Sequence, residues 1–364
     1  MIYKNLIRPF LFRMDPEIAH NRIHKIGIFV SRFPFMISFL EFVLVRKSTR
    51  LSQQIQGNLF NNPVGLAAGF DKNAHLTSLI SAIGFGFTEI GSITANPSNG
   101  NALPRMFRLP QDHGIINRMG LNNDGAMQIV DRIMNSQKPT IPLGINIAKT
   151  HDPAILGDKA IEDYIISFKI AQNIADYITI NISCPNTEEG KTFEDADALQ
   201  SLLSRIKEIR QTDRFIPVYV KLSADLSTSE LETLVSICEK NEIDGYIATN
   251  TSSKRENLTA NSTLLSQSIG KGGLSGASIY SKSLNIVHDL ARITNGKKPI
   301  IAVGGIDSTE KAIEMIRNGA WLIQIYTGLI YEGPFLPRVI NRGLERYLNE
   351  NGMSNLTELR GSKI

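Results

Sequence analysis

The stretch Tyr177-Ile178-Thr179-Ile180-Asn181-Ile182-Ser183-Cys184-Pro185-Asn186-Thr187 joins an almost continuous apolar run to a polar cluster. Its first six residues are typical of a parallel β-strand that is buried on both faces. The cluster places a titratable thiol, that of Cys184, between the carboxamides of Asn181 and Asn186. Such a group, held among hydrogen-bonding partners, suits proton abstraction from a flat polar substrate. The stretch therefore predicts a buried strand that ends in a catalytic site.

Seven other short runs rich in Val, Ile and Gly share this composition: residues 64–68, 87–91, 142–147, 217–222, 245–250, 299–304 and 321–326. Amphipathic segments lie between the eight runs, at residues 73–83, 123–135, 160–173, 195–210, 228–241, 278–294 and 308–318. Eight parallel strands that alternate with helices predict an α/β fold, a (β/α)8 TIM barrel. A doubly wound open sheet is the alternative, but no Gly-x-Gly-x-x-Gly motif follows the first strand. A short strand or hairpin is expected before the barrel, within residues 51–61.

The length of 364 residues allows one large domain and a small appendage. We assign residues 1–50 to an N-terminal helical extension, 51–350 to the barrel and 351–364 to a C-terminal tail. The only two cysteines, Cys184 and Cys238, lack metal-ligand spacing, which argues against a disulfide framework and a metal site and indicates a reducing setting. No nucleic-acid partner is expected.

The extension differs from the rest of the chain in charge. Its nine Lys and Arg residues against three acidic residues give +6, so the remainder of the +4 chain carries −2. It is also rich in large apolar residues, but Arg32, Pro34 and Glu41 keep every apolar stretch below the roughly 20 residues that span a bilayer. This combination favours peripheral membrane contact. Two alternatives remain: helices packed on the barrel with solvated basic residues, or a mitochondrial import signal, which Asp15 and Glu17 oppose.

Polar residues lie at the carboxyl ends of the predicted strands, where the catalytic groups of TIM barrels cluster. They are Lys72, Ser92, Asn146, Asn181 to Asn186, Lys221 and the triplet Thr249-Asn250-Thr251. Each residue alone is a weak signal. Together they predict one polar rim, which a purely structural barrel would not need.

Glycines mark the ends of the last two strands. Gly304 and Gly305 follow the seventh strand, Gly328 follows the eighth, and Gly276 lies in the preceding loop. Glycine lets backbone N–H groups approach an anion closely, and the loops after strands 7 and 8 are the usual phosphate site of this fold. These glycines predict a phosphate site, although tight turns alone could also require them.

The motifs resemble those of the dihydroorotate dehydrogenase family, in family order, from about residue 50 to 345. They are GLAAGFDKN (65–73), NRMGLNN (117–123), GINI (144–147), NISCPNT (181–187), VKLS (220–223), IATNT (247–251), GGLSG (272–276), VGGID (303–307) and IQIYTG (323–328). The extension, with Asp15-Pro16-Glu17 and His20, resembles that of the membrane-associated, quinone-reducing class of the family.

This resemblance implies oxidation of dihydroorotate to orotate in pyrimidine biosynthesis, with FMN as hydride acceptor and ubiquinone or menaquinone as final acceptor. The implied FMN-binding residues are Ala67, Ala68, Gly69, Ser92, Asn146, Asn181, Lys221, Thr249, Gly276, Gly305, Tyr326 and Thr327. The implied substrate-binding residues are Lys72, Asn117, Arg118, Met119, Gly120, Leu121, Asn181, Asn186, Asn250 and Thr251. His20, Arg108 and Tyr326 match positions near the quinone. The implied location is the cytoplasmic face of a bacterial inner membrane or, alternatively, the mitochondrial inner membrane.

Cys184 departs from the pattern of the membrane-associated class, which generally has Ser as its base, whereas the soluble class has Cys. A thiol has an ordinary pKa of about 8.5, far below that of a hydroxyl, so it can act as the base without a special relay. Adjacent strand residues point to opposite faces, so only one of Ser183 and Cys184 can face the ligand; register with the family favours Cys184. The alternatives are a soluble-class enzyme that uses fumarate or NAD, and a non-catalytic flavin-binding membrane protein.

Overall fold

The structure is a computed structural model that describes residues 2–45, 47–136, 139–183, 192–210 and 214–364. Its strands are β1 Gln53–Ile55, β2 Asn58–Phe60, β3 Val64–Leu66, β4 Phe87–Ile93, β5 Met106–Leu109, β6 Gly114–Asn117, β7 Leu143–Ile147, β8 Tyr177–Asn181, β9 Val218–Leu222, β10 Gly245–Ala248, β11 Gly273–Gly276, β12 Ile300–Val303 and β13 Leu322–Ile325. After a π-helical turn at Tyr3–Ile7, its α-helices are α1 Arg8–Phe12, α2 Pro16–Ser31, α3 Pro34–Leu44, α4 Thr77–Ala82, α5 Ala126–Met134, α6 Asp158–Ala171, α7 Ala196–Ile209, α8 Thr228–Lys240, α9 Ala260–Ile269, α10 Tyr280–Ile293, α11 Thr309–Arg317, α12 Thr327–Glu332, α13 Leu336–Glu350 and α14 Leu356–Leu359.

Eight strands form a closed parallel barrel in chain order, β3-β4-β7-β8-β9-β10-β12-β13, with β13 paired to β3. Each of the eight predicted runs coincides with one of these strands, although β4 continues past its run to Ile93, so the predicted TIM barrel is confirmed. All seven predicted helices are also present. The first of them, predicted from residue 73, begins only at Thr77, because the Asp71 carboxylate accepts the backbone N–H groups of His75 and Leu76 at 2.9 and 2.7 Å.

Aromatic rings fill the barrel interior near the amino ends of the strands. The rings of Phe87, Tyr177 and Tyr219 contact one another in turn, with centroids 6.4 and 5.3 Å apart. A glycine makes room for a ring, since a Cβ at Gly144 would lie 2.1 Å from Tyr177 Cζ. The predicted hairpin, β1-β2, packs its Phe60 against this cluster. The hairpin therefore covers the amino end of the barrel, and the opposite end stays available for a site.

A small antiparallel sheet, ordered β11-β6-β5, lies in the loops at the carboxyl end of the barrel. The sequence predicts a loop at Gly276, whereas Gly273–Gly276 is strand β11, paired with β6. These strands have four residues each and come from two distant loops, so they have no periodicity that could be recognised locally.

The extension packs on the barrel, with α2 against β5 and α4 and with α3 against α4. Asp15 caps α2 by accepting the N–H groups of Glu17 and Ile18, and the Glu17 carboxylate pairs with Arg105 at 2.8 Å. Among the described helices, none is by itself long and apolar enough to cross a bilayer. Helices α2 and α3 reach that length and apolarity only together, with a 105° bend between them.

The C-terminal residues contact the main core. Leu356 and Leu359 of α14 are buried, at 1% and 0% exposure, within the large hydrophobic cluster outside the barrel. The boundaries drawn at residues 50 and 350 stay predictions.

Candidate functional site

A cavity with a volume of about 170 Å³ lies at the carboxyl ends of the barrel strands; we call it the polar cavity. The predicted site residues that line it are Ala67, Ala68, Gly69, Lys72, Ser92, Asn117, Met119, Leu121, Asn181, Lys221, Thr249, Asn250, Thr251, Gly276, Gly305, Tyr326 and Thr327. Asn146 is buried directly beneath Ser92, while Arg118 and Gly120 do not line the cavity. Cys184 and Asn186 lie outside the described residues.

A row of hydrogen bonds connects side chains at the ends of four barrel strands. The Ser92 hydroxyl donates to the Asn146 side-chain oxygen and accepts from Asn181 Nδ2 at 3.0 Å. Asn250 Nδ2 donates to Asn181 Oδ1 at 3.1 Å and to the Ser183 carbonyl at 3.0 Å. Because the parallel strands end at one edge, residues far apart in sequence form one continuous polar floor.

Glu89 anchors this floor from inside the barrel. It is fully buried, and its carboxylate accepts hydrogen bonds from Asn146 Nδ2 at 2.9 Å, Gln324 Nε2 at 2.9 Å, the Tyr177 hydroxyl at 3.2 Å and Thr179 Oγ1 at 3.3 Å. Burial, followed by the Glu89 charge, raises the pKa of Tyr177 well above its ordinary value, so Tyr177 remains a donor. Sequence reasoning missed Glu89 and Gln324. The available signal for Glu89 was that it is the one charged residue within the predicted buried run 87–91.

Glycines at the other side of the polar cavity allow close backbone packing. Gly305 has φ +71°, and a Cβ there would lie 2.7 Å from Tyr280 Cβ and 2.9 Å from the Gly276 carbonyl oxygen. The neighbouring hydroxyls of Ser275 and Thr327 are 2.9 Å apart. Of the described lining residues none is acidic, whereas Lys72 and Lys221 are basic. The cavity is therefore suited to an anionic ligand.

A second cavity, of about 330 Å³, lies between the extension and the barrel; we call it the apolar cavity. His20 and Arg108 line it, and Met106 and Ile115 line both cavities. The Phe70 ring lies between His20 and Tyr326, with centroid separations of 5.3 and 5.7 Å. His20 and Arg108 therefore face the apolar cavity and Tyr326 faces the polar one, across a shared wall.

Burial shifts the pKa values of all three residues. It lowers the pKa of His20 to about 4, with a further contribution from His24 and Lys72, and it raises that of Tyr326 to about 12. The pKa of Arg108 is also lowered, mainly by burial. The Arg108 guanidinium lies 4.6 Å from the Phe12 ring centroid and donates to the Met14 carbonyl at 2.8 Å. Arg108 thus fixes the extension over the apolar cavity.

The second cysteine is buried in α8, away from both cavities. Burial raises the pKa of the Cys238 thiol, which makes it a poor nucleophile. Across the part of the chain that the structure describes, no group of three or more His, Cys, Asp or Glu side chains is arranged to hold a metal ion.

Comparisons with known proteins agree on one family. A family model described as "Dihydroorotate dehydrogenase" matches residues 50–348. Proteins named "Dihydroorotate dehydrogenase (quinone)" from Chloroflexus aurantiacus and Natronomonas pharaonis are 40% and 41% identical to the chain; the first match covers 94% of this chain and 96% of the relative, the second 99% of each. The ligand-free DHODH structure from Eimeria tenella matches with a TM-score of 0.85 at 33% identity, over 96% of this chain and 99% of that one. Its complex with ferulenol matches with a TM-score of 0.81 at 33% identity, over 96% of each chain.

Proposed function

The chain belongs to the dihydroorotate dehydrogenase family, and from this premise we propose how its two cavities divide the reaction. It is a flavin-dependent oxidoreductase of the quinone class, which oxidises dihydroorotate to orotate with a quinone as electron acceptor. The polar cavity serves the flavin and dihydroorotate, and the apolar cavity serves the quinone. One observation carries this division: Met106 and Ile115 belong to both cavities, so two chemically different sites meet at a thin wall.

The flavin is proposed to be FMN, which when bound accepts a hydride from the substrate and passes two electrons to the quinone. The residues present fit this group. Gln324 Oε1 is buried without a hydrogen-bond partner among the described residues, and it lines the polar cavity, where a ligand donor could satisfy it. Residues Gly276, Gly305, Tyr326 and Thr327 would hold the phosphate. Residues Ala67, Ala68, Gly69, Ser92, Asn146, Asn181, Lys221 and Thr249 would hold the rest of the cofactor.

Dihydroorotate is a carboxylated ring with many donors and acceptors, which suits a ring of carboxamides. We assign its binding to Lys72, Asn117, Asn250, Thr251, Asn181 and Asn186. The Lys72 ammonium, which donates to Asn122 in this structure, would face the carboxylate. Arg118 and Gly120 would contribute by shaping the loop backbone beside the substrate. The Arg118 guanidinium donates to the Ile269 carbonyl at 2.7 Å, and the Arg118 backbone N–H donates to the Arg105 carbonyl. Met119 and Leu121 would cover the substrate with apolar side chains.

Cys184 is proposed as the base that removes the C5 proton of dihydroorotate while C6 delivers the hydride. The immediately preceding residue supports this assignment. Ser183 is 1% exposed and does not line the polar cavity, and its hydroxyl is already bound, because it donates to the Lys221 carbonyl at 3.1 Å and accepts from Asn250 Nδ2 at 3.2 Å. Because Asn250 binds the Ser183 carbonyl, the segment that leads to Cys184 is fixed at the edge of the substrate site.

The extension is proposed to bring the quinone from a membrane. Its helices α2 and α3 expose a set of large apolar side chains: Ile18, Ile23, Ile26, Phe29, Phe35, Phe39, Phe42 and Val43. Helix α2 also lines the apolar cavity. Burying these side chains in lipid would therefore bring that cavity to the membrane, from which a hydrophobic quinone could enter. The proposed location is the cytoplasmic face of a bacterial inner membrane, with the mitochondrial inner membrane as the alternative. Residues His20, Arg108 and Tyr326 would lie nearest the quinone.

Acceptor specificity tests this proposal. With dihydroorotate as donor, the purified protein should turn over with ubiquinone or menaquinone analogues and not with fumarate or NAD. Turnover with fumarate or NAD alone would instead indicate a soluble-class enzyme. A protein that binds flavin but turns over with no acceptor would be a non-catalytic flavoprotein.

A further inference from the structure

Three imidazoles and one carboxylate meet where the extension packs on the barrel; we call His20, His24, Asp71 and His75 the histidine cluster. The centroids of His20 and His24, one helical turn apart on α2, are 5.7 Å apart. The centroids of His24 and His75, which comes from the loop before α4, are 5.8 Å apart. His24 Nε2 lies 3.3 Å from Asp71 Oδ1. The cluster thus forms a line of exchangeable groups that starts at the apolar cavity.

Asp71 holds this line in place. Its side chain is fully buried, and its two carboxylate oxygens accept the backbone N–H groups of His75 and Leu76. The same carboxylate contacts His24, whose side chain is 16% exposed, so the far end of the cluster reaches water. A buried carboxylate that binds one ring nitrogen of an imidazole fixes the orientation and the tautomer of the ring.

Charged groups from each neighbouring element act on the two ends of the cluster. His20 faces His24, Lys72 and Asp71; after burial, the first two lower its pKa and Asp71 raises it. His75 faces Arg132, Asp71, His24 and Asp124, and burial followed by Arg132 lowers its pKa. His20 with a pKa of about 4 is neutral at pH 7, so it can accept a proton at one ring nitrogen and donate from the other.

The apolar cavity has few other groups able to exchange a proton. Of the described residues that line it, Tyr3, His20 and Arg108 are titratable. Burial raises the pKa of Tyr3, and its hydroxyl donates to the Ile330 carbonyl at 2.6 Å. Arg108 stays charged at neutral pH, because guanidinium groups do not deprotonate in proteins. His20 is therefore the lining group suited to proton exchange at pH 7.

Quinone chemistry requires such a group. Reduction of a quinone to a quinol takes up two electrons and two protons. In the proposed function, on which this inference rests, the flavin supplies both electrons and one proton. The second proton must come from the protein, which regains one from water. Over the whole reaction this uptake balances the C5 proton that the base releases to solvent.

We propose that the histidine cluster delivers this second proton. His20 donates its ring N–H proton to a quinone oxygen and regains one at its other nitrogen from His24, across a bridging water. Asp71 orients His24, and His24 and His75 exchange with solvent. His24, Asp71 and His75 touch neither quinone nor flavin; they act through His20 as positioning residues for the proton path.

The test compares two acceptors in the variants His24→Phe and His75→Phe. Reduction of a quinone takes up protons, whereas ferricyanide accepts single electrons without protons. We expect His24→Phe to lower kcat with quinone about tenfold or more, with the KM for quinone and the ferricyanide rate nearly unchanged. His75→Phe should act in the same direction. Free imidazole should restore part of the quinone rate of His24→Ala.

The control is His288→Phe, because His288 lies on α10 and contacts Asn318, away from both cavities. Its quinone and ferricyanide rates should match those of the unaltered protein. Proton delivery by the histidine cluster would be refuted if His24→Phe had an unchanged kcat with quinone. It would also be refuted if His24→Phe lost the same fraction of its rate with quinone and with ferricyanide. Reduction of the flavin by dihydroorotate in the same samples shows that each variant is folded. If dihydroorotate did not reduce the flavin of the unaltered protein, that result would contradict the proposed function and not the proton delivery by the histidine cluster.

Discussion

Gln324 Nε2 donates to Glu89 Oε2 at 2.9 Å, joining the last barrel strand to the second across the buried interior. The same carboxylate binds Asn146, which in turn accepts from Ser92 at the polar cavity. The orientation of the cavity floor is therefore set by a residue that no ligand would touch. In a buried network of this kind the members hold one another in place, so losing one of them affects the others.

Replacing Glu89 by Gln should destabilise the protein, because a side-chain NH2 group would face donors where four hydrogen bonds now end. We expect the free energy of unfolding to fall by about 2–4 kcal/mol, measured by chemical denaturation. The matched control is Glu208→Gln on the exposed face of α7, which should change stability by less than about 0.5 kcal/mol. Equal stability of the Glu89 variant and the unaltered protein would show that the network is not anchored there.

Gly305→Ala should weaken flavin binding. The new methyl group would lie 2.7 Å from Tyr280 Cβ, so the strand end proposed to hold the phosphate must shift. We expect a loss of affinity of about tenfold or more, measured by flavin fluorescence titration. The control, Gly296→Ala, has a similar φ of +65° but open space around it, so it isolates backbone strain from the clash. Gly296→Ala should cost about 1 kcal/mol of stability and leave flavin affinity unchanged. An equal loss of flavin affinity in both variants would refute the proposed phosphate site at Gly305.

The barrel and most of the site rim could be predicted from sequence, because buried parallel strands are continuous apolar runs and their carboxyl ends share one edge. Ser92, Asn181 and Thr249 each follow from that rule. The hydrogen bond between Glu89 and Gln324 could not be predicted, because 235 residues separate them and no local sequence pattern signals the contact. The apolar cavity is also invisible in sequence, because it is the space left between helix faces and the barrel. Cys184, the first candidate, lies outside the described residues.

Stability should depend on pH through His20. Its pKa is about 4 when folded, below the ordinary 6.5, so between these values the unfolded chain takes up a proton that the folded one does not. The stability that the protein keeps while His20 is neutral in both states is therefore fully present above pH 6.5 and is lost as pH falls toward 4. From pH 7.5 to 4.5, His20→Phe should therefore lose about 1–2 kcal/mol less of its unfolding free energy than the unaltered protein, measured by denaturant titration. Parallel stability curves for the two proteins would contradict this.

Membrane contact should depend on the apolar face of α3. Phe39 and Phe42 are 65% and 87% exposed, and replacing both by Asp should lower partitioning into anionic vesicles by about ten- to a hundredfold in sedimentation assays. Phe215 is similarly exposed, at 61%, but lies on the barrel, so Phe215→Asp is the control and should bind vesicles normally. Equal binding by all three proteins would place membrane contact elsewhere.

Anaerobic mixing of the flavin-loaded protein with dihydroorotate tests both the assigned reaction and the assigned base. We expect the yellow flavin absorbance to bleach on mixing and to return when a quinone analogue is added. Cys184→Ala should keep its flavin yet bleach slower by about 100-fold or more, because it lacks the proposed base. A protein that holds flavin and stays yellow with dihydroorotate would contradict the assigned reaction, and a Cys184→Ala variant that bleaches at the unaltered rate would contradict the assigned base.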